Sequence, residues 1–179
     1  KKQATVFVIF GATGDLAKIK LFPALYQLHK SDLLAKQFKI IAASRTKHST
    51  SQFQSIIKEA VKPKDSAKWQ DFAQTIEFIP SDIAKNQNLG QLTKRLSKIE
   101  EEFDSCVKVI IYLAIAPTIY EDAFGNIGEN KLNFGCQKHK NQSRIVVEKP
   151  FGYDLASAQR LHKSISEYFE KDQIFRIDH

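Results

Sequence analysis

A short, β-branched apolar run at residues 5–10 (TVFVIF) breaks directly into Gly11-Ala12-Thr13-Gly14-Asp15-Leu16-Ala17, and a helical pattern follows over residues 15–30. A buried strand that turns on glycine and starts a helix at once is the opening of a parallel βαβ unit. The alternation continues. Residues 38–43, 75–79, 107–115, 144–147 and 174–177 read as further strands, with Pro80 closing the third. Residues 52–61, 66–72, 88–103, 117–128 and 155–169 read as helices, and residues 135–143 as a polar loop. The clearest helical stripe is Leu89, Leu92, Leu96, Ile99 and Phe103 with charges between. Six strands alternating with helices predict an α/β, doubly wound, mostly parallel sheet with helices on both faces. Pro23 stands inside the first helical pattern, where it lacks a donor and crowds the preceding turn. A break near residues 20–22 is expected, with Pro23 opening a second helix.

The glycine step carries chemistry. Gly11 permits the sharp turn, Gly14 lets backbone approach a pyrophosphate, and Ala17 is small enough for the helix to pack on the strand. The helix start offers unpaired N–H groups and positive dipole to phosphates. The spacing is Gly-x-x-Gly-x-x-Ala rather than Gly-x-Gly-x-x-Gly, and no Gly-Lys-Ser/Thr follows, so a Walker loop is excluded. At the end of the second strand, where an NAD site places a carboxylate for the ribose 2′-hydroxyl, the chain reads Ser44-Arg45-Thr46-Lys47. A guanidinium there suits a 2′-phosphate and selects NADP. The net charge of +7, from 27 basic and 20 acidic residues, agrees with an anionic ligand. No basic block interleaved with aromatics points to nucleic acid, and no run approaches the ~20 apolar residues of a membrane helix. Cys106 and Cys136 lack zinc spacing; the two could bridge, but two reduced thiols of a cytosolic chain is the favoured reading.

Three ordered motifs resemble the glucose-6-phosphate dehydrogenase family. They are residues 11–18 with Lys20-Leu21-Phe22-Pro23, then Glu148-Lys149-Pro150-Phe151-Gly152, then Phe175-Arg176-Ile177-Asp178-His179; Tyr112-Leu113-Ala114-Ile115-Ala116-Pro117 fits as well. Ile19 departs from the arginine common in the family. The resemblance implies a Rossmann-like dinucleotide-binding domain over residues 1–179, with an α+β substrate and dimerisation domain downstream of this chain. It implies oxidation of glucose 6-phosphate to 6-phosphogluconolactone by hydride transfer to NADP, at the entry to the pentose phosphate pathway. Gly11, Ala12, Thr13, Gly14, Asp15 and Leu16 would hold the cofactor phosphates and Arg45 the 2′-phosphate. Tyr112 and residues 114–117 would line the nicotinamide end. Lys149 would reach substrate and cofactor from a cis Lys149–Pro150 turn, Lys20 would sit near the sugar, and His179 would begin the sugar-phosphate segment. Asp178 would orient a catalytic histidine that lies beyond residue 179, so the chain alone is expected to be inactive and, apart from the full homodimer or tetramer, monomeric. His29, His48, His139 and His162 have no evident partner in sequence. A non-catalytic NAD(P)-binding sensor is the alternative.

Overall fold

The computed structural model describes residues 3–136 and 143–178. The strands are β1 (Thr5–Phe10), β2 (Phe38–Ser44), β3 (Ile76–Pro80), β4 (Lys108–Leu113), β5 (Arg144–Glu148) and β6 (Ile174–Ile177). The helices are α1 (Phe22–Lys30), α2 (Thr50–Val61), α3 (Ser66–Ala73), α4 (Leu89–Phe103), α5 (Tyr120–Glu129) and α6 (Leu155–Ser166). Among the described residues the sheet has six strands in the order β3-β2-β1-β4-β5-β6, every neighbouring pair parallel. The order reverses between β1 and β4. No helix of the described residues is long and apolar enough to cross a membrane.

The two-residue period of the strands divides the core. Val6, Val8, Phe10, Val109, Ile111 and Leu113 face a layer built from α4, α5 and α6, including Leu92, Leu96, Phe124, Ile127, Leu161 and Ile165. Ile9, Ile40, Ala42, Ile76 and Phe78 face α1, α2 and α3 through Phe22, Leu25, Tyr26, Phe53 and Phe72. Central strands buried on both sides have to be apolar nearly throughout, which is why β4 shows no polar alternation.

Pro23 opens α1 as expected, but the chain before it stays helical. The chain widens into a π-turn over Ala17–Leu21, with the Phe22 N–H reaching the Ala17 carbonyl five residues back, and continues as α1 with Pro23 in its first turn. The wide turn absorbs the missing donor without leaving the helical path. Pro80 lies inside β3 rather than beyond it, because β3 is an edge strand. Most of the polar loop expected at residues 135–143 lies outside the described residues.

The thiol expectation is corrected. Cys106 and Cys136 form a disulfide, 30 residues apart, with Cα atoms 5.4 Å from each other. Cys106 directly precedes β4 and Cys136 stands on the approach to β5, so adjacent parallel strands bring both cysteines to the amino edge of the sheet. Disulfide closure of a loop this long is worth about 2–4 kcal/mol. Reduction should lower the unfolding free energy by that amount in a urea titration, and thiol counting without reductant should find no free cysteine.

On the outside of the sheet, Glu77 of β3 accepts from Arg95 Nε and Nη2 at 2.6 Å each and from Lys39 at 2.9 Å, while Arg95 also pairs with Glu102 at 2.6 Å. Burial alone would push the Glu77 carboxyl up; the hydrogen bonds from Arg95 and Lys39 outweigh it and hold the group below its usual value. The stability this confers is present above the unfolded carboxylate range and is lost as pH falls through the lower, folded value. Arg95→Ala should cost about 1.5–3 kcal/mol at neutral pH, the scale of hydrogen bonds to a charged group. The cost should shrink in unfolding titrations run at progressively lower pH.

Candidate dinucleotide site

The glycine turn after β1, the Ser44-Arg45-Thr46 segment after β2 and residues 114–116 after β4 gather at the carboxyl edge of the parallel sheet, where ligands of open α/β folds bind. β1 runs between β2 and β4 in register, Phe10 opposite Ala43 on one side and Leu113 on the other. Beyond Phe10 the chain turns at Gly11 with φ +74°. The Ala114 N–H binds the Phe10 carbonyl at 3.0 Å and the Ala12 N–H binds the Ala43 carbonyl at 3.2 Å, so the turn is fastened to both neighbours. A Cβ on Gly11 would overlap the Ala114 carbonyl oxygen and sit 2.8 Å from its carbon. The Gly14 N–H then closes on the Gly11 carbonyl at 3.0 Å, and the Lys18 N–H on the Gly14 carbonyl at 3.1 Å, which starts the helix. Ala12 and Ala17 are fully buried beneath the turn, while Gly14 and Asp15 are exposed above it. The first-turn N–H groups of a helix have no acceptor within it, and here they open on the sheet edge.

A crevice of about 410 Å³ lies against this turn. Gly11, Thr13 and Gly14 form one wall, and Ala114, Ile115 and Ala116 the wall beyond β4. Ser44, Arg45 and Thr46 close it beyond β2. The Thr46 N–H binds the Ser44 hydroxyl at 3.2 Å, a local turn that carries the exposed Arg45 out over the opening. Among the described residues no carboxylate pairs with Arg45. The loop after β3 also lines the crevice, through Ser81, Asp82, Ile83, Ala84 and Lys85. That wall was missed in the sequence; it becomes visible only once β3 is placed beside β2.

Tyr112 is not part of the crevice lining. It is 8% exposed and packed in the layer of α1, α2 and α3. Its hydroxyl donates to Glu148 Oε1 at 3.2 Å, and burial first, then the Glu148 carboxylate, push that hydroxyl well above the ordinary tyrosine range. From the opposite layer, the Tyr120 hydroxyl accepts from the Glu148 N–H at 3.1 Å. Two tyrosines thus fix the residue that precedes Lys149. The Lys149–Pro150 peptide is cis. The Lys149 N–H binds the Ile177 carbonyl at 2.9 Å, and its ammonium meets Asp178 at 3.0 Å. Asp178 therefore has an ion-pair partner within the chain, because parallel pairing of β5 and β6 ends the two strands side by side.

Lys20 is exposed on the π-turn and lies outside the crevice lining. His29 packs on Phe72 and His48 on Phe78, each at 5.5 Å between ring centres, and His162 meets Arg176 at 3.2 Å. His139 and His179 lie outside the described residues.

Comparison with known proteins places the chain. The sequence model of the family described as glucose-6-phosphate dehydrogenase, NAD binding domain, matches residues 8–179. A glucose-6-phosphate 1-dehydrogenase of Bacillus subtilis is 35% identical over 179 residues, all of this chain and 36% of the relative. One of Treponema pallidum is 35% identical over 97% of this chain and 34% of the relative. A solved glucose-6-phosphate dehydrogenase in complex with its substrate glucose 6-phosphate superposes with a TM-score of 0.87 at 33% identity, over 99% of this chain and 37% of that one. The chain spans about a third of the length of the relatives it matches.

The tight fit at Gly11 is testable without any ligand. Gly11→Ala should lower the unfolding free energy by about 2–4 kcal/mol, from the left-handed backbone and the overlap with Ala114 together. Gly14→Ala, whose Cβ would meet only the Gly11 carbonyl at 3.2 Å, should cost much less in the same denaturant titration.

Proposed function

We propose a function from one premise: the chain belongs to the glucose-6-phosphate dehydrogenase family. It is that family's nicotinamide-dinucleotide-binding domain, and in our reading it works as part of an enzyme that oxidises glucose 6-phosphate with NADP. The observation that carries the cofactor assignment is Arg45, an exposed guanidinium with no described carboxylate partner, at the mouth of a crevice whose other end is a helix start. The residues fit a dinucleotide phosphate. Gly14 leaves the helix start uncovered, and a guanidinium grips a phosphate with two parallel donors.

A bound nicotinamide would supply the hydride acceptor for oxidation at the sugar C1. Binding and orientation fall to this chain. The first turn after Gly14 holds the pyrophosphate on backbone N–H groups, with Thr13 beside it. Ala114, Ile115 and Ala116 give an apolar wall that keeps water from the reacting end. Lys149 stands at the carboxyl edge as a cation for the sugar phosphate, its direction set by the pinned Glu148 and the turn after it. Lys20 and His179 belong to the same cationic side in this reading. Proton removal from the C1 hydroxyl suits an imidazole, and Asp178 is the carboxylate that would fix its tautomer. The histidines His29, His48 and His162 are each engaged elsewhere, so the base comes from outside the described residues. With Lys149 as its present partner, Asp178 would exchange a lysine for that histidine when the whole site assembles. A cytoplasmic location is part of the same proposal.

Calorimetric titration tests the cofactor assignment. NADP should bind more tightly than NAD, and Arg45→Ala should remove about 1.5–3 kcal/mol from NADP alone. Equal affinities for the two dinucleotides, or an NADP affinity indifferent to Arg45→Ala, would contradict it.

A further inference from the structure

The loop after β3 brings a second cation to the crevice. Lys85 lines the same opening as Arg45 and Thr46, although it is 40 positions from Arg45 in sequence. Its side chain is exposed, and among the described residues no carboxylate pairs with it.

Its backbone is held to an unusual degree for a surface loop. Asp82 and Gln87 exchange N–H to carbonyl bonds at 2.9 Å in both directions, closing the loop at its base. Asp82 Oδ1 accepts from the N–H groups of Ala84 at 3.0 Å and Lys85 at 3.1 Å. Side-chain amides of α5 and of the residue that caps it clamp the loop: Asn126 donates to the Ile83 carbonyl at 2.6 Å, and Asn130 to Asn86 Oδ1 at 2.6 Å. Asn86 in turn donates to Glu129 at 3.0 Å. An exposed loop with this many side-chain clamps fixes a Cα position, and the residue so placed is Lys85.

The charges of the crevice then sum in one direction. Its lining holds two cations, Arg45 and Lys85, and one carboxylate, Asp82. One oxygen of that carboxylate is already taken up by two backbone donors, which weakens its repulsion of an incoming anion. A dinucleotide lacking the 2′-phosphate has no group to engage both cations; one carrying it does.

We propose that Lys85 is a specificity-determining residue for the 2′-phosphate, acting beside Arg45 from the loop after the neighbouring strand. The inference rests on the reading of the crevice as an NADP site and adds to it a residue that no part of the sequence pattern identified. A lysine is a point charge on a flexible stem, so its contribution is electrostatic and salt-sensitive, whereas that of Arg45 is bidentate.

The test is calorimetry on the 179-residue chain with NADP, NAD and 2′,5′-ADP, for the unaltered protein, Lys85→Ala, Lys85→Arg and Arg45→Ala. Lys85→Ala should weaken NADP and 2′,5′-ADP about fivefold at low salt, with the effect declining as salt rises and NAD affinity unchanged. Lys85→Arg should retain the affinity. Unaltered NADP binding in Lys85→Ala, or an equal loss for NADP and NAD, overturns the role of Lys85 and leaves the crevice assignment standing. Failure of the unaltered chain to bind any of the three ligands overturns both. Circular dichroism of each variant separates these outcomes from misfolding, because Lys85 contributes only its backbone N–H to the loop.

Discussion

The close approach of Gly11 to Ala114 organises the site. Two strands that pair in parallel must send their chains onward from the same edge, and here they diverge with backbone against backbone. No side chain fits between them. Because β1 turns at that point, the helix that follows starts directly above the place where the strand order reverses. The crevice, the helix N-terminus and the switch point are therefore one geometrical consequence, and the Ala12 bond to β2 ties the Arg45 side of the opening to it.

From there the division of labour follows strand by strand. The loops after β1, β2, β3 and β4 line one crevice. The ends of β5 and β6 carry Lys149 and Asp178, side by side through parallel pairing. Between the two regions stands Glu148, held by a tyrosine from each helical layer, so that packing in both cores fixes one backbone segment. The packed helices also explain why a basic surface residue such as Arg45 can be held in register with a backbone turn more than 30 positions earlier.

Much of this was legible in the sequence. The alternation of apolar runs and amphipathic stripes gave six strands and their helices, because each element carries its own period. Gly11, Gly14 and Arg45 were legible because local chemistry demands them: a left-handed turn, an uncovered helix start, a missing acid. Other features depended on strand adjacency and left no local trace. Tyr112 sits in a strand buried on both faces, and a continuous apolar run does not say which face a residue takes. Asp82 and Lys85 reach the crevice only because β3 lies beside β2. The Cys106–Cys136 pair required β4 and β5 to be neighbours, and thirty residues of separation concealed it. Pro23 was legible as the opening of a helix, since α1 starts at Phe22 with the proline in its first turn; that the preceding turn stays helical by widening to a π-turn was not.

The central claim is that the crevice at the reversal of strand order is where NADP sits. Titration of NADP into the isotope-labelled chain, followed by amide chemical shifts, tests it most directly. The account predicts that the perturbed amides fall on residues 11–18, 44–46, 81–85 and 114–116, with the amino edge of the sheet near Cys106 unmoved. Shifts confined to α6 and β6, or to the amino edge, would contradict it.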